Sequence, residues 1–222
     1  MAALEIGAAE RYYLIPLLTT KVSIDMASES SSNDSSPHPY ATYVAIAVAL
    51  VALQTLVLYL FGQPPISTDG QVKLWEGEVL SAGNSQHLSD WYTFSHIIHG
   101  LLFYGLAWVI FRKQSVGVRF LMAVGLEAGW EVLENTPMVI NHYRQQALAQ
   151  GYTGDSILNS VSDNVSMMLG FLVAWRLPVW AVVVFGLSLE LFAAFMIRDN
   201  LTLNVINLVY PFEFIADWQS AA

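Results

Sequence analysis

Two histidines, His96 and His99, stand three residues apart in DWYTFSHIIHGLLFYG, a stretch otherwise apolar enough to lie in a membrane. Ionisable side chains are costly in a bilayer and there face a protein interior or a wet pocket, so their presence is a functional signal. Partners follow along the chain: Glu127, Glu131 and Glu134, then Asp155, Asn159 and Asp163, then Arg198, Asp199 and Asn200. Two chemistries suit this set. A divalent metal held by groups drawn from His96, His99, Glu131 and Asp163 matches the preferences of zinc, manganese or iron, and would make a bound water nucleophilic. Without metal, a histidine beside carboxylates works as an acid/base group or a proton relay. The expected catalytic groups are His99, Glu131 and Asp163. The expected binding groups are His96, Glu127, Glu134, Asp155, Asn159, Asp199 and Asn200, with Arg198 holding an anion. The histidine spacing is not the metalloprotease pattern of two histidines four apart with a glutamate beside the first. A structural role competes with both chemistries, with His96 hydrogen-bonding Glu131 or Asn159 between helices.

The elements that carry these residues follow from composition. Of 222 residues, 55% are hydrophobic and 12% charged, whereas a soluble domain carries about 25% charged residues. The chain therefore reads as an all-α polytopic membrane helix bundle, about five transmembrane helices plus a short C-terminal helix, with the lipid bilayer as its surroundings. Spans are expected over 41–61, 93–111, 116–135, 155–175 and 177–197, about the length that crosses a hydrocarbon core. The segment 201–216 is short and holds Asn204, Asn207 and Pro211, so it reads as a short helix packed on the bundle. Residues 1–40 read as a disordered tail around SESSSNDSSPHP, with Met26 an alternative start and 41–218 the transmembrane domain. The long connection after the first span carries Trp75, Trp91 and Tyr92 and reads as a packed cap. A net charge of −9 with scattered basic residues argues against nucleic acid, and the absence of cysteine excludes disulfides and thiolate chemistry.

Basic residues in short loops prefer the cytoplasm. Arg112, Lys113, Arg119 and Arg176 share one side, which places the N-terminus inside. The start of the second span, the end of the third, the start of the fourth and the end of the fifth then share the outer face. His99 and Asp163 lie about 10 and 12 Å below that face, and Glu131 and Glu127 about 6 and 12 Å, at 1.5 Å per residue. Glu127, Glu131 and Glu134 form one helical stripe, and Asp155, Asn159, Ser162, Asp163 and Ser166 another. Packing these stripes together spares them from lipid. Gly100, Gly105, Gly125 and Gly129 are expected to permit close helix approach.

PPISTDGQVKLW, NSQHLSDWYTFSHIIHGLLFYGLAW, EAGWEVLENTP, YTGDSILNSVSDN, LGFLVAWRLPVW and MIRDNLTLNV together resemble the proteobacterial membrane family known as domain of unknown function 2585. The resemblance covers about residues 42–218 and implies a multi-pass protein of the bacterial inner membrane, with no activity attached. The family pattern has two cysteines in the first loop where this chain has Ser67 and Asp69, which argues against an essential thiol role. The layout of a His helix, an acidic helix and an Asp/Asn helix is also faintly similar to VanZ-like membrane proteins, by analogy alone. The leading functional expectation is an envelope protein that binds, or binds and modifies, an envelope lipid or small polar ligand. A proton- or cation-coupled transporter component and a structural or assembly protein are the rivals.

Overall fold

A computed structural model describes residues 39–220. The expected tail as far as residue 38, and Met26 within it, lie outside the described residues. Eight helices follow in order: α1 Pro39–Phe61, α2 Thr93–Ile110, α3 Val116–Glu134, α4 Pro137–Tyr143, α5 Ile157–Arg176, α6 Val179–Ile197, α7 Leu201–Val209 and α8 Glu213–Ser220. Four of them, α1, α2, α5 and α6, are long and apolar enough to cross a membrane. Helix α3 has similar length but carries Arg119, Glu127, Glu131 and Glu134, and it packs against α1, α2 and α5. Its carboxylates are thereby taken up by neighbouring helices.

Local chemistry sets the helix ends. Gly62 ends α1 at φ 87, the left-handed conformation that glycine adopts without steric cost, and Pro64 and Pro65 follow. Ser115 and Ser156 cap α3 and α5, each accepting from a backbone N–H three residues on. The expected single helix over 201–216 is instead two short helices, α7 and α8. Pro211 supplies no N–H and forces the residue before it out of helical geometry, and Tyr210 is extended at φ −156, ψ 114.

The tightest crossing joins α2 to α5. A Cβ on Gly100 would lie 2.0 Å from the Met167 carbonyl oxygen, and one on Gly170 2.0 Å from that of Ile97. Only glycine fits at either point. Gly105, Gly125 and Gly129 have nothing within 4 Å of such an atom, so the close-approach role expected of them is not seen. Between the helices Ala47, Ala123, Val124, Met167 and Phe171 form an apolar core. Outside, α6 presents Val179, Trp180, Val183, Leu187, Leu191 and Phe195 as an exposed row. Such a continuous apolar face suits lipid rather than water.

Residues 62–92 pack on the bundle through their backbone. The carbonyls of Gln86, His87 and Leu88 accept in turn from Ser156 Oγ at 2.9 Å, Asn159 Nδ2 at 2.9 Å and Ser162 Oγ at 2.5 Å. Three side chains, one per turn of α5, therefore hold three consecutive loop residues. The ring of Trp91 packs against Trp75, Phe94 and Phe192, which ties the same loop to α2 and α6.

Candidate functional site

Helices α2, α3 and α5 bring their polar stripes together near one end of the bundle. The Glu127 carboxylate is bridged by two imidazoles, His96 Nδ1 at 2.6 Å and His99 Nδ1 at 3.0 Å. Glu131 Oε2 accepts from Ser160 Oγ at 2.5 Å, and Oε1 lies 3.4 Å from His96 Nδ1. That Oε1 is buried and has no hydrogen bond among the described residues. Asp163 Oδ2 stands 3.7 Å from His96 Nε2. From α1, Gln54 donates to Ser160 Oγ at 2.7 Å and accepts from Asn164 Nδ2 at 2.8 Å. Glu127 and Glu131 are 0% exposed, so each lone pair must be met from within the protein. Two trios, His96 with His99 and Glu127, and His96 with Glu131 and Asp163, place their ligating atoms within 4.8 Å of one another.

A cavity of about 260 Å³ opens beside the cluster. Its wall includes His96, His99, Glu134, Asp155, Asn159 and Asp163, joined by apolar Trp130, Leu148 and Leu201. Among the described residues no Lys or Arg side chain lines it. Glu134 lines the cavity half-buried. Asp155, just before α5, accepts from Asn135 Nδ2 at 2.7 Å and Tyr152 hydroxyl at 2.8 Å. Burial raises its carboxyl above the ordinary range in spite of those two bonds. Burial also pushes the Tyr152 hydroxyl well up, with the Asp155 charge adding to it, so the phenol remains a donor.

The structure gives other expected members different partners or places. His96, rather than His99, is the histidine that approaches both Glu131 and Asp163, while His99 is engaged by Glu127 and stacks on Phe103. Asn159 clamps the loop through the His87 carbonyl. Arg198, Asp199 and Asn200 lie outside the cavity wall. The Arg198 guanidinium donates to the Trp218 carbonyl at 2.8 Å, so the anion-holding role expected of it has no counterpart in this geometry. Asn200 caps α7 by accepting from Leu203 N at 2.8 Å, and Glu190 closes the same helix end by accepting from Leu201 N and Thr202 N.

Asp199 is a staple between elements. It accepts from Tyr92 hydroxyl at 3.1 Å, Asn204 Nδ2 at 3.2 Å, Gln219 Nε2 at 3.1 Å and Asn200 N at 3.0 Å. Burial nevertheless pushes its carboxyl up to about 6. The folded chain then holds this proton more tightly than the unfolded chain does. Its contribution to stability is therefore fullest below about pH 4 and declines by at most about 3 kcal/mol as pH rises to about 6, levelling above that. Asp199→Asn is expected to flatten this slope in melting temperatures taken across that window. An unchanged slope would assign it to another group.

Gln54, Ser160 and Asn164 belong to the cluster and are not evident from the acidic and histidine stripes. Gln54 had one signal, as a polar side chain in the most apolar helix. Ser160 and Asn164 lie beside the predicted α5 stripe, at positions where small polar residues commonly bond their own helix.

Comparison with known proteins agrees with the family resemblance. A family model described as "Protein of unknown function (DUF2585)" matches residues 58–221. A UPF0314 protein of Agrobacterium fabrum (strain C58) is 53% identical over 179 residues, 81% of this chain and 90% of that protein. One from Rhizobium meliloti (strain 1021) is 49% identical over 195 residues, 88% and 99% of the two chains. One from Sphingopyxis alaskensis is 50% identical over 175 residues, 79% and 93%. No solved structure matches the chain.

Proposed function

The chain belongs to the DUF2585 family of unknown function, and from that premise and the buried cluster we propose a pocket protein of the bacterial inner membrane. It crosses the membrane several times with its N-terminus in the cytoplasm. Its pocket at the outer face binds, and in the enzymatic form modifies, an envelope lipid headgroup or small polar metabolite. The orientation is supported by Arg112, Lys113, Arg119 and Arg176, which sit at the end of the bundle opposite the cavity.

The observation that carries this reading is the cavity of about 260 Å³, lined by His96, His99, Glu134 and Asp163 together with Trp130, Leu148 and Leu201. Polar groups set among apolar ones in a concave wall are what orient a small ligand. With three carboxylates and no Lys or Arg in the described wall, the complementary group is a hydroxylated or amine-bearing one rather than a bare phosphate. In the enzymatic form, Asp163 and His99 at the wall, with Glu131 behind them, are the acid/base or ion-binding groups. The transporter alternative is less favoured. Beyond Gln54, Ser160 and Asn164 lies the apolar core of Ala47, Ala123, Val124, Met167 and Phe171, which among the described residues holds no polar side chain to relay an ion.

Ala149 lines the cavity and is not among the histidines and carboxylates of the cluster, so Ala149→Trp takes up space there while leaving every one of those side chains in place. Native mass spectrometry of detergent-extracted wild-type protein is expected to retain a polar-headgroup lipid or metabolite. Ala149→Trp is expected to lose it with an unchanged melting temperature. Identical ligand-free spectra for both proteins, after extraction in a lipid-retaining detergent, would overturn the pocket reading in favour of a structural role.

A further inference from the structure

The deepest feature of the cluster is an electrostatic mismatch. An ionised carboxylate only accepts hydrogen bonds. Glu127, bridged by both imidazoles, therefore requires Nδ1–H on each of His96 and His99. In the neutral rings this leaves Nε2 as a lone pair. His96 Nε2 then faces Asp163 Oδ2 at 3.7 Å, acceptor against acceptor and beyond hydrogen-bond reach. Glu131 Oε1, on a fully buried side chain, lacks a hydrogen-bond donor among the described residues. Glu131 Oε1, 3.4 Å from His96 Nδ1, and Asp163 Oδ2, 3.7 Å from Nε2, thus gather around one imidazole in a buried site.

We propose that His96, Glu131 and Asp163 bind one divalent transition-metal ion, Zn²⁺ or Mn²⁺, and that Glu127 is the positioning residue that fixes the ligand ring. One imidazole and two carboxylates are a donor set that both ions accept. A ligating histidine that gives its other N–H to a carboxylate is the usual outer-shell arrangement of such sites. Glu127 supplies that carboxylate to His96 and also engages His99, so the second ring is held next to the ion without being required as a ligand. The ligating atoms lie within 4.8 Å of one another. Two ligands at about 2.2 Å from one tetrahedral ion stand about 3.6 Å apart, so loading asks side-chain adjustments of up to about 1 Å. His96 and Asp163 both line the cavity. Three protein ligands with one position open to a pocket is the arrangement of catalytic rather than structural zinc.

This inference deepens the pocket reading by placing an ion at its floor, and its readout is separate. Tag-free, full-length protein is purified in detergent, assayed for metal by mass spectrometry, stripped with chelator and titrated with ZnCl₂ or MnCl₂. About one ion per chain is expected, with X-ray absorption giving a single imidazole in the first coordination sphere. Asp163→Asn and Glu131→Gln are each expected to weaken binding at least about tenfold, and Glu127→Gln about tenfold to a hundredfold with the ion still at the same ligands. Ala149→Trp is expected to keep the metal while losing the pocket ligand, so either reading can fail without the other. Folded wild-type protein that takes up neither ion stoichiometrically and shows no melting shift with either would overturn the site. Metal binding indifferent to both Asp163→Asn and Glu131→Gln would do so as well.

Discussion

Gly170→Leu abolishes the folded bundle rather than loosening it. Even a single Cβ at this position would sit 2.0 Å from the Ile97 carbonyl oxygen and 3.2 Å from the Gly100 Cα, against backbone that no rotamer change can move aside. Added bulk in a well-packed interior typically costs about 1–3 kcal/mol, and a backbone clash on this scale lies beyond that range because two helices must separate to relieve it. Separating α2 from α5 also pulls His96 away from Asp163 and lifts the loop carbonyls from Ser156 and Asn159. The expected result is protein that fails to extract as a monodisperse species. Gly100→Leu should behave alike, since its contact with Met167 is the other half of the same crossing. Gly105→Leu, with open space at its Cβ position, is the control and should extract normally. Equal behaviour of all three variants would show that the crossing is not close in the membrane.

His96→Ala carries the second large effect. The ring is the shared neighbour of three carboxylates, Glu127 at 2.6 Å, Glu131 at 3.4 Å and Asp163 at 3.7 Å. Removing a shared partner leaves buried carboxylate oxygens unsatisfied, at about 1–3 kcal/mol for a neutral acceptor and more for a charged one. Glu127 keeps His99 in the variant, whereas Glu131 and Asp163 lose their shared neighbour. Adding Glu131→Gln to His96→Ala should therefore recover part of the loss, with a coupling of about 0.5–3 kcal/mol between the two positions. Thermal melts of the two single variants and the double variant in one detergent measure this directly. Additive losses would mean that water already solvates the cluster.

The sequence makes the bundle legible because apolar runs of membrane length are an unambiguous pattern, and it makes the depth of the cluster legible because helical rise is constant. Glu127 and His99 are expected at similar depth and they touch. Depth does not reveal which faces turn toward each other. That rotation is set by the Gly100 and Gly170 contact, a matter of backbone approach that leaves no periodic signal of its own. The choice of His96 over His99 as the ring facing Asp163 follows from it. The same limit applies to Asn159, which shares a stripe with Asp163 yet serves the loop. Arg198 looked like an anion ligand because its charge lies at the outer end of α6. Its real partner, the Trp218 carbonyl, sits on a helix whose separation from α7 depends on the break at Pro211.

The hold of α5 on the first loop also sets an order of events during synthesis. Ser156, Asn159 and Ser162 are 70, 72 and 74 residues later in the chain than the carbonyls they engage. At about 5–20 residues per second, the loop leaves the ribosome roughly 4–15 s before its anchors exist. The cap can settle only after the later helix has entered the bilayer, so the cluster is sealed as one of the last steps of assembly. Until then the polar side chains of α2 and α3 lack the cover that α5 and the loop give them.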